Sequence, residues 1–294
     1  SRAWPPVVAP RRRAFSTRAE TTAQNAADVR DLLRTRLSMT EAELDRVERH
    51  QPAGARATVE PKLTWLQSRL ELDAAQLKKI VVRHPQLLGL SVEDNLEPKL
   101  DWLRRRLDLD DVGLRKMVLR LPSLLGSSVE ANMAPTLDWL QTRLDLDDAE
   151  LRKVVLMEPQ LLSCSVEANM APKLEWLQTR LDLDDVQLRK IVLTLPSLFN
   201  YSVEDNLAPK LEFFAREIGL SRGELRDWVV KNSSTLGRSL ANRYRPRLEA
   251  CRAAGVNVRR VLSYASRTDE FFCKRTGIAP GALEAIRKQS VLSV

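Results

Sequence analysis

SVEDNLEPKLDWLRRRLDLDDVGLRKMVLRLPSLLGS, from Ser91 to Ser127, decides how the rest of the chain is read. Its prolines recur. Pro61, Pro98, Pro135, Pro172, Pro209 and Pro246 stand 37 residues apart, and Pro85, Pro122, Pro159 and Pro196 keep the same interval. Trp65, Trp102, Trp139 and Trp176 form a third ladder, which Phe213 continues. Self-similarity at such a period marks a solenoid. Each unit cannot bury its apolar face alone, so neighbours stack into a continuous core.

The unit reads as two helices. Leu96, Leu100, Leu103 and Leu107 fall on one narrow helical face. Ser91-Val92-Glu93-Asp94 has the form of a capping box that starts the first helix at Val92. Pro98 then lies inside that helix and kinks it; the alternative makes Pro98 its first residue. The kinked helix is the preferred reading. Asp110 is suited to cap the second helix, where Leu114, Met117, Val118 and Leu121 face inward. Pro122 ends it, and Pro-Ser-Leu-Leu-Gly suits a single 3₁₀ turn.

The pattern Pro-x-Leu-Leu-x-x-Ser-x-Glu-x-Asn-Leu/Met-x-Pro-x-Leu-x-Trp-Leu resembles the mitochondrial transcription termination factor (mTERF) family. Pro122, Leu124, Leu125, Ser128, Glu130, Asn132, Met133, Pro135, Leu137 and Leu140 carry it, with their equivalents in adjoining units. The resemblance spans roughly Val59 to Gly277. Tetratricopeptide and ankyrin repeats differ in period, at about 34 and 33 residues. The expected fold is all-α: an α-solenoid of about 37-residue helix–helix–3₁₀ repeats forming a curved superhelix. The resemblance implies a basic groove and a role in organelle gene expression, through transcription termination or initiation, RNA processing or ribosome assembly.

With 44% hydrophobic residues the chain can fill such a core, and no apolar run suggests a membrane span. Cys164, Cys251 and Cys273 are odd in number and widely spaced, against a disulfide framework or a metal knuckle. The net charge of +8 is uneven: +4 over residues 1–57, −5 over 58–209 and +9 over 210–294. A basic nucleic-acid footprint therefore belongs to the C-terminal third or to one face of the repeats.

Residues 1–24 read as a transit-peptide-like disordered leader, with Arg2, Arg11, Arg12, Arg13 and Arg18 against Glu20. Arg13-Ala14-Phe15-Ser16 resembles the Arg-x-Phe-Ser pattern of mitochondrial presequences. It implies a mitochondrion, with a plastid as the alternative; a basic arm without targeting role is the other reading. Residues 25–57 read as a degenerate N-terminal capping repeat, in which Leu33, Leu37, Leu44 and Pro52 take the places of Leu103, Leu107, Leu114 and Pro122. Residues 58–209 hold the regular repeats. Residues 210–294 hold divergent basic repeats and a terminal cap.

Asn95, Lys99, Trp102 and Arg106 form a stripe beside the leucine face, repeated as Lys62/Trp65/Arg69 and Lys173/Trp176/Arg180. It reads either as a basic-aromatic ribbon facing nucleic acid or, by preference, as packing between repeats. On the second helix, Lys78-Lys79, Arg115-Lys116, Arg152-Lys153 and Arg189-Lys190 recur. Asp111, Asp148 and Asp185 each precede an arginine by four residues and give it a local partner. Lys79, Lys116, Lys153 and Lys190 have none and are candidate phosphate contacts. The Leu-Asp-Leu-Asp-Asp clusters read as helix caps rather than metal sites. In the C-terminal third, Arg243, Arg245, Arg247, Arg252, Arg259, Arg260 and Lys274 are the strongest electrostatic candidates. Ser239 to Arg247 and Thr268 to Phe272 resemble the C-terminal elements of the mTERF repeats.

No Gly-rich phosphate loop, nucleophile motif or metal-ligand set is apparent, and an active site needs one unique constellation. The expectation is a non-enzymatic, monomeric nucleic-acid-binding protein without cofactor or membrane segment. It would contact duplex DNA or RNA mainly through the backbone. A scaffold for an organellar ribosome or RNA–protein assembly is the alternative.

Overall fold

A computed structural model describes residues 13–50, 56–261 and 264–292. They are predominantly helical, and no strand occurs among them. The chain divides into two compact units that meet in sequence at Met133 and Ala134. The first contains α1 (Arg13–Leu37), α2 (Glu41–His50), α3 (Arg56–Arg69), α4 (Ala74–Arg83), α5 (Glu97–Arg106) and α6 (Asp111–Arg120). The second begins with the pairs α7 (Ala134–Leu144) and α8 (Asp148–Met157), α9 (Ala171–Leu181) and α10 (Asp185–Thr194), and α11 (Ala208–Ile218) and α12 (Arg222–Lys231). It ends with α13 (Arg245–Ala253), α14 (Val258–Val261), α15 (Asp269–Thr276) and α16 (Pro280–Leu292).

The repeat is a helix pair, a 3₁₀ turn and a π turn. Pro122–Gly126 forms the expected 3₁₀ turn, with equivalents at Pro85–Gly89, Pro159–Ser163 and Pro196–Asn200. The π turn resolves the two readings of Pro98. Ser91 Oγ accepts from the Asp94 amide at 3.0 Å and opens a helical path at Val92, as the kinked reading has it. The Leu96 amide then reaches back five residues to the Ser91 carbonyl, also at 3.0 Å. Pro98 enters only in the first turn of α5, as the alternative has it. In a regular α-helix the proline ring collides with the carbonyl four residues back. Widening the preceding turn moves that carbonyl away, and the same turn precedes Pro172, Pro209 and Pro246.

The Leu-Asp-Leu-Asp-Asp motif is a corner between the paired helices. Its first acid takes a left-handed conformation, with φ of 45° at Asp108, 49° at Asp145 and 57° at Asp182. The second leucine is buried, and the next aspartate caps the second helix: Asp110 accepts from the Gly113 amide at 2.7 Å. Among the described residues no group of His, Cys, Asp and Glu could hold a metal ion. The leucine faces are sealed; Leu96, Leu100, Leu103 and Leu114 have no exposed surface.

The leader differs from expectation. α1 starts at Arg13, so disorder through residue 24 does not hold from Arg13 onward; residues 1–12 lie outside the described residues. The physical reason is composition: no glycine or proline interrupts Arg13 to Leu37, and good helix formers dominate its centre. Leu33, Leu37 and Leu44 are buried, whereas Pro52 lies outside the described residues.

Candidate nucleic-acid interface

The aromatic stripe is not a basic ribbon. Lys62, Lys99, Lys173 and Lys210 are buried. Each ammonium reaches the 3₁₀ turn closing its own repeat: Lys62 the Leu88 carbonyl, Lys99 that of Leu125, Lys173 that of Phe199 and Lys210 that of Leu236. Asn95, Asn169 and Asn206 accept a second bond from Lys99, Lys173 and Lys210, at 2.9, 3.0 and 2.6 Å. The recurring Asn-x-x-x-Lys spacing therefore ties the first helix to the end of the unit. Burial lowers the pKa of all four lysines, and that of Lys210 falls to about 8. Arg69 of the stripe, and Arg143 at the same position two repeats on, bind between helix pairs instead: Arg69 pairs with Asp101 at 2.7 Å and Arg143 with Asp185 at 3.1 Å. Trp65, Trp102, Trp139 and Trp176 are half-buried, so each keeps an accessible edge.

The second helices sort their cations differently. Lys78 pairs with Glu43 at 2.8 Å, Arg115 with Glu71 at 2.9 Å and Arg189 with Glu150 at 2.5 Å. These partners stand 35 to 44 residues upstream. The local aspartates expected for Arg115 and Arg189 are not their ion-pair partners, because the acids near the preceding corner come closer. The second cation of each pair has no such partner. Among the described residues, Lys79 and Lys116 are exposed without an ion pair on α4 and α6 of the first unit, and Lys153 and Lys190 likewise on α8 and α10 of the second.

In the C-terminal third the candidates separate. Arg247 is 1% exposed; its guanidinium binds the Ala265 carbonyl and Asp269 and lies 4.7 Å from the Phe272 ring centre. It cannot reach a phosphate and is removed from the interface. Arg243 is half-buried and holds the Ser266 and Arg267 carbonyls, both at 2.8 Å; burial, with Arg247 and Arg238 nearby, lowers its pKa. Arg252 pairs with Glu217 at 2.7 Å and Arg259 with Glu224 at 3.2 Å, although both remain exposed. Arg245 is exposed, its guanidinium 5.7 Å from the Phe213 ring centre. Arg260 and Lys274 are exposed and have no ion pair among the described residues. The sequence reading missed Arg238 and Arg267, both exposed beside Arg243 and without an ion pair among the described residues. Each directly precedes a helix-capping residue, Ser239 or Thr268, and that placement was the available signal.

Repeated helix pairs closed by 3₁₀ turns define an α-solenoid repeat protein. The mTERF family profile matches residues 15–271, and the chain belongs to the mTERF family. No curated protein matches it. Membership supports an organellar, nucleic-acid-binding type of function in general terms. No described helix is long and apolar enough to cross a membrane.

Proposed function

We propose that this protein binds nucleic acid through phosphate contacts and acts in organelle gene expression, by transcription termination or regulation or by RNA processing. The observation that carries the reading is the sorting of cations on the second helices. Lys78, Arg115 and Arg189 are held by acids, whereas Lys79, Lys116, Lys153 and Lys190 stand exposed, with no ion pair among the described residues. Arg238, Arg260, Arg267 and Lys274 extend the set in the region of greatest net positive charge. Duplex DNA in a mitochondrion is the favoured setting, with RNA or a plastid as the variants, and the protein acts as a monomer without cofactor or catalysis.

Phosphate contacts release condensed counterions, so affinity falls with salt and each lost contact flattens the log–log slope by about one unit on duplex DNA. The test titrates a labelled duplex across salt concentrations against wild type, Arg260→Ala with Lys274→Ala, and Lys116→Ala with Lys153→Ala. Both pairs should lower the slope, the C-terminal pair costing more affinity. Wild-type binding that ignores salt would refute the reading. The −5 net charge of residues 58–209 favours a second role, in protein contacts.

A further inference from the structure

An open groove of about 420 Å³ runs along α5 in the first unit. Pro98 and the half-buried Trp102 indole line it from α5, and residues 126–130 line it from the turns after α6. Lys99 contributes little charge to its surface, since its buried ammonium is bound to Asn95 and the Leu125 carbonyl. The charged side chains left facing solvent are Asp94 and Glu130 against Arg105. Arg105 Nε is bonded to the Asp101 carbonyl of its own helix at 3.3 Å. Glu93 and Glu97 stand exposed on residues adjoining the groove. A phosphate therefore meets more acids than bases here. A guanidinium meets an indole and two carboxylates, which offer cation–π contact and charge-assisted hydrogen bonds.

The groove has a counterpart one repeat earlier, where Glu60, Pro61, Thr64, Trp65 and Ser68 line a second open depression in the same register. α3 and α5 are joined by the Arg69–Asp101 pair at 2.7 Å. Packed helices lie roughly 8–10 Å apart, and one turn of polyproline II advances roughly 9 Å. Proline-rich segments in that conformation dock in aromatic-lined grooves.

We propose that the Trp65 and Trp102 grooves bind an extended, proline-rich basic segment of a partner protein, with one arginine seated between Trp102, Asp94 and Glu130. No residue lining these grooves is among the lysines and arginines proposed for nucleic acid, and either site can fail without the other.

The test uses the full chain and a labelled nonapeptide of three Ala-Pro-Arg repeats, with glutamate replacing arginine in the control. Fluorescence anisotropy should show saturable binding of the arginine peptide and none of the control. Asp94→Asn with Glu130→Gln alters exposed side chains only and should weaken binding by about tenfold or more. Trp102→Leu should weaken it similarly, and Lys116→Ala with Lys153→Ala should leave it unchanged. The proposal is overturned if the arginine peptide does not bind, or if the carboxylate variant binds it as well as wild type. It is also overturned if Trp102→Leu, folded by its melting curve, loses oligonucleotide binding while keeping the peptide.

Discussion

Arg247 shows how far one side chain can depart from what its charge suggests. Its partner Asp269 also accepts from Arg287, at 2.6 and 2.9 Å, so one carboxylate serves two guanidiniums. Removing one member of a buried pair costs about 3–5 kcal/mol. Here Arg287 still pairs Asp269, so Arg247→Met should cost less, about 1–3 kcal/mol in a denaturant titration, chiefly for the Ala265 carbonyl left unpaired, whereas Arg260→Met should change little. Arg287 and Arg247 hold the Asp269 carboxyl well below its usual range. Its folded pKa is depressed, so the stabilisation is complete above the ordinary value of 3.8 and is lost as pH falls below it. Asp269→Asn should flatten that acid limb. Lys210 acts with the same sign at higher pH, although in its case burial disfavours the charged form. Burial lowers its folded pKa to about 8 from 10.5, so the unfolded chain holds more protons between those values and stability rises with pH across that window. The Cys251 thiol, pushed up to about 11 from 9.0, opposes this at the upper end. Subtracting the pH–stability profile of Lys210→Thr from that of wild type isolates the lysine. Thr136, buried at the equivalent position of another repeat, shows that threonine is accommodated there.

At the scale of the element, tight turns are controlled by single neighbours. A Cβ on Gly126 would lie 2.6 Å from His84 Nε2 and 2.8 Å from its Cε1. His84 immediately precedes Pro85, a position that Leu121 and Leu195 fill in other repeats. Gly126→Ala should cost about 1–3 kcal/mol through overpacking, and His84→Ala in the same chain should recover most of it; a double-mutant cycle measures the coupling. Much at this scale was legible in the sequence. The leucine faces, the Asp110 cap and the Pro122 turn are written in residues a few positions apart, where propensity and capping rules operate. The π turn before Pro98 was not, because no local rule says which relief a helix adopts for its proline. The Arg115–Glu71 pair was missed because its partners are 44 residues apart, beyond any helical spacing. Arg247 was misplaced because composition counts every arginine as solvent-facing. Only the packing of Phe272 and Asp269 reveals it as core.

At the scale of the whole molecule, repetition limits what the protein can read. Ser128 to Asp148 and Ser165 to Asp185 differ only where Thr136 and Asp138 become Lys173 and Glu175. Neither difference supplies a base reader: Thr136 and Lys173 are buried, and the acids are an exposed conservative pair. Near-identical units cannot distinguish successive bases by one side chain each, as repeat proteins with a base-per-repeat code do. The exposed cations suit phosphate contacts, which fix register but carry no sequence information directly. Affinity for several unrelated duplexes of equal length should therefore agree within about tenfold at fixed salt, where sequence-specific binders discriminate by about 10³ or more. Their log–log salt slopes should also coincide, since the same cations meet the same backbone in each. A competition series at one salt concentration, repeated at a second, measures both quantities. A single duplex that binds a thousandfold tighter with an unchanged slope would place base reading in the divergent C-terminal repeats, where the sequence is no longer repetitive.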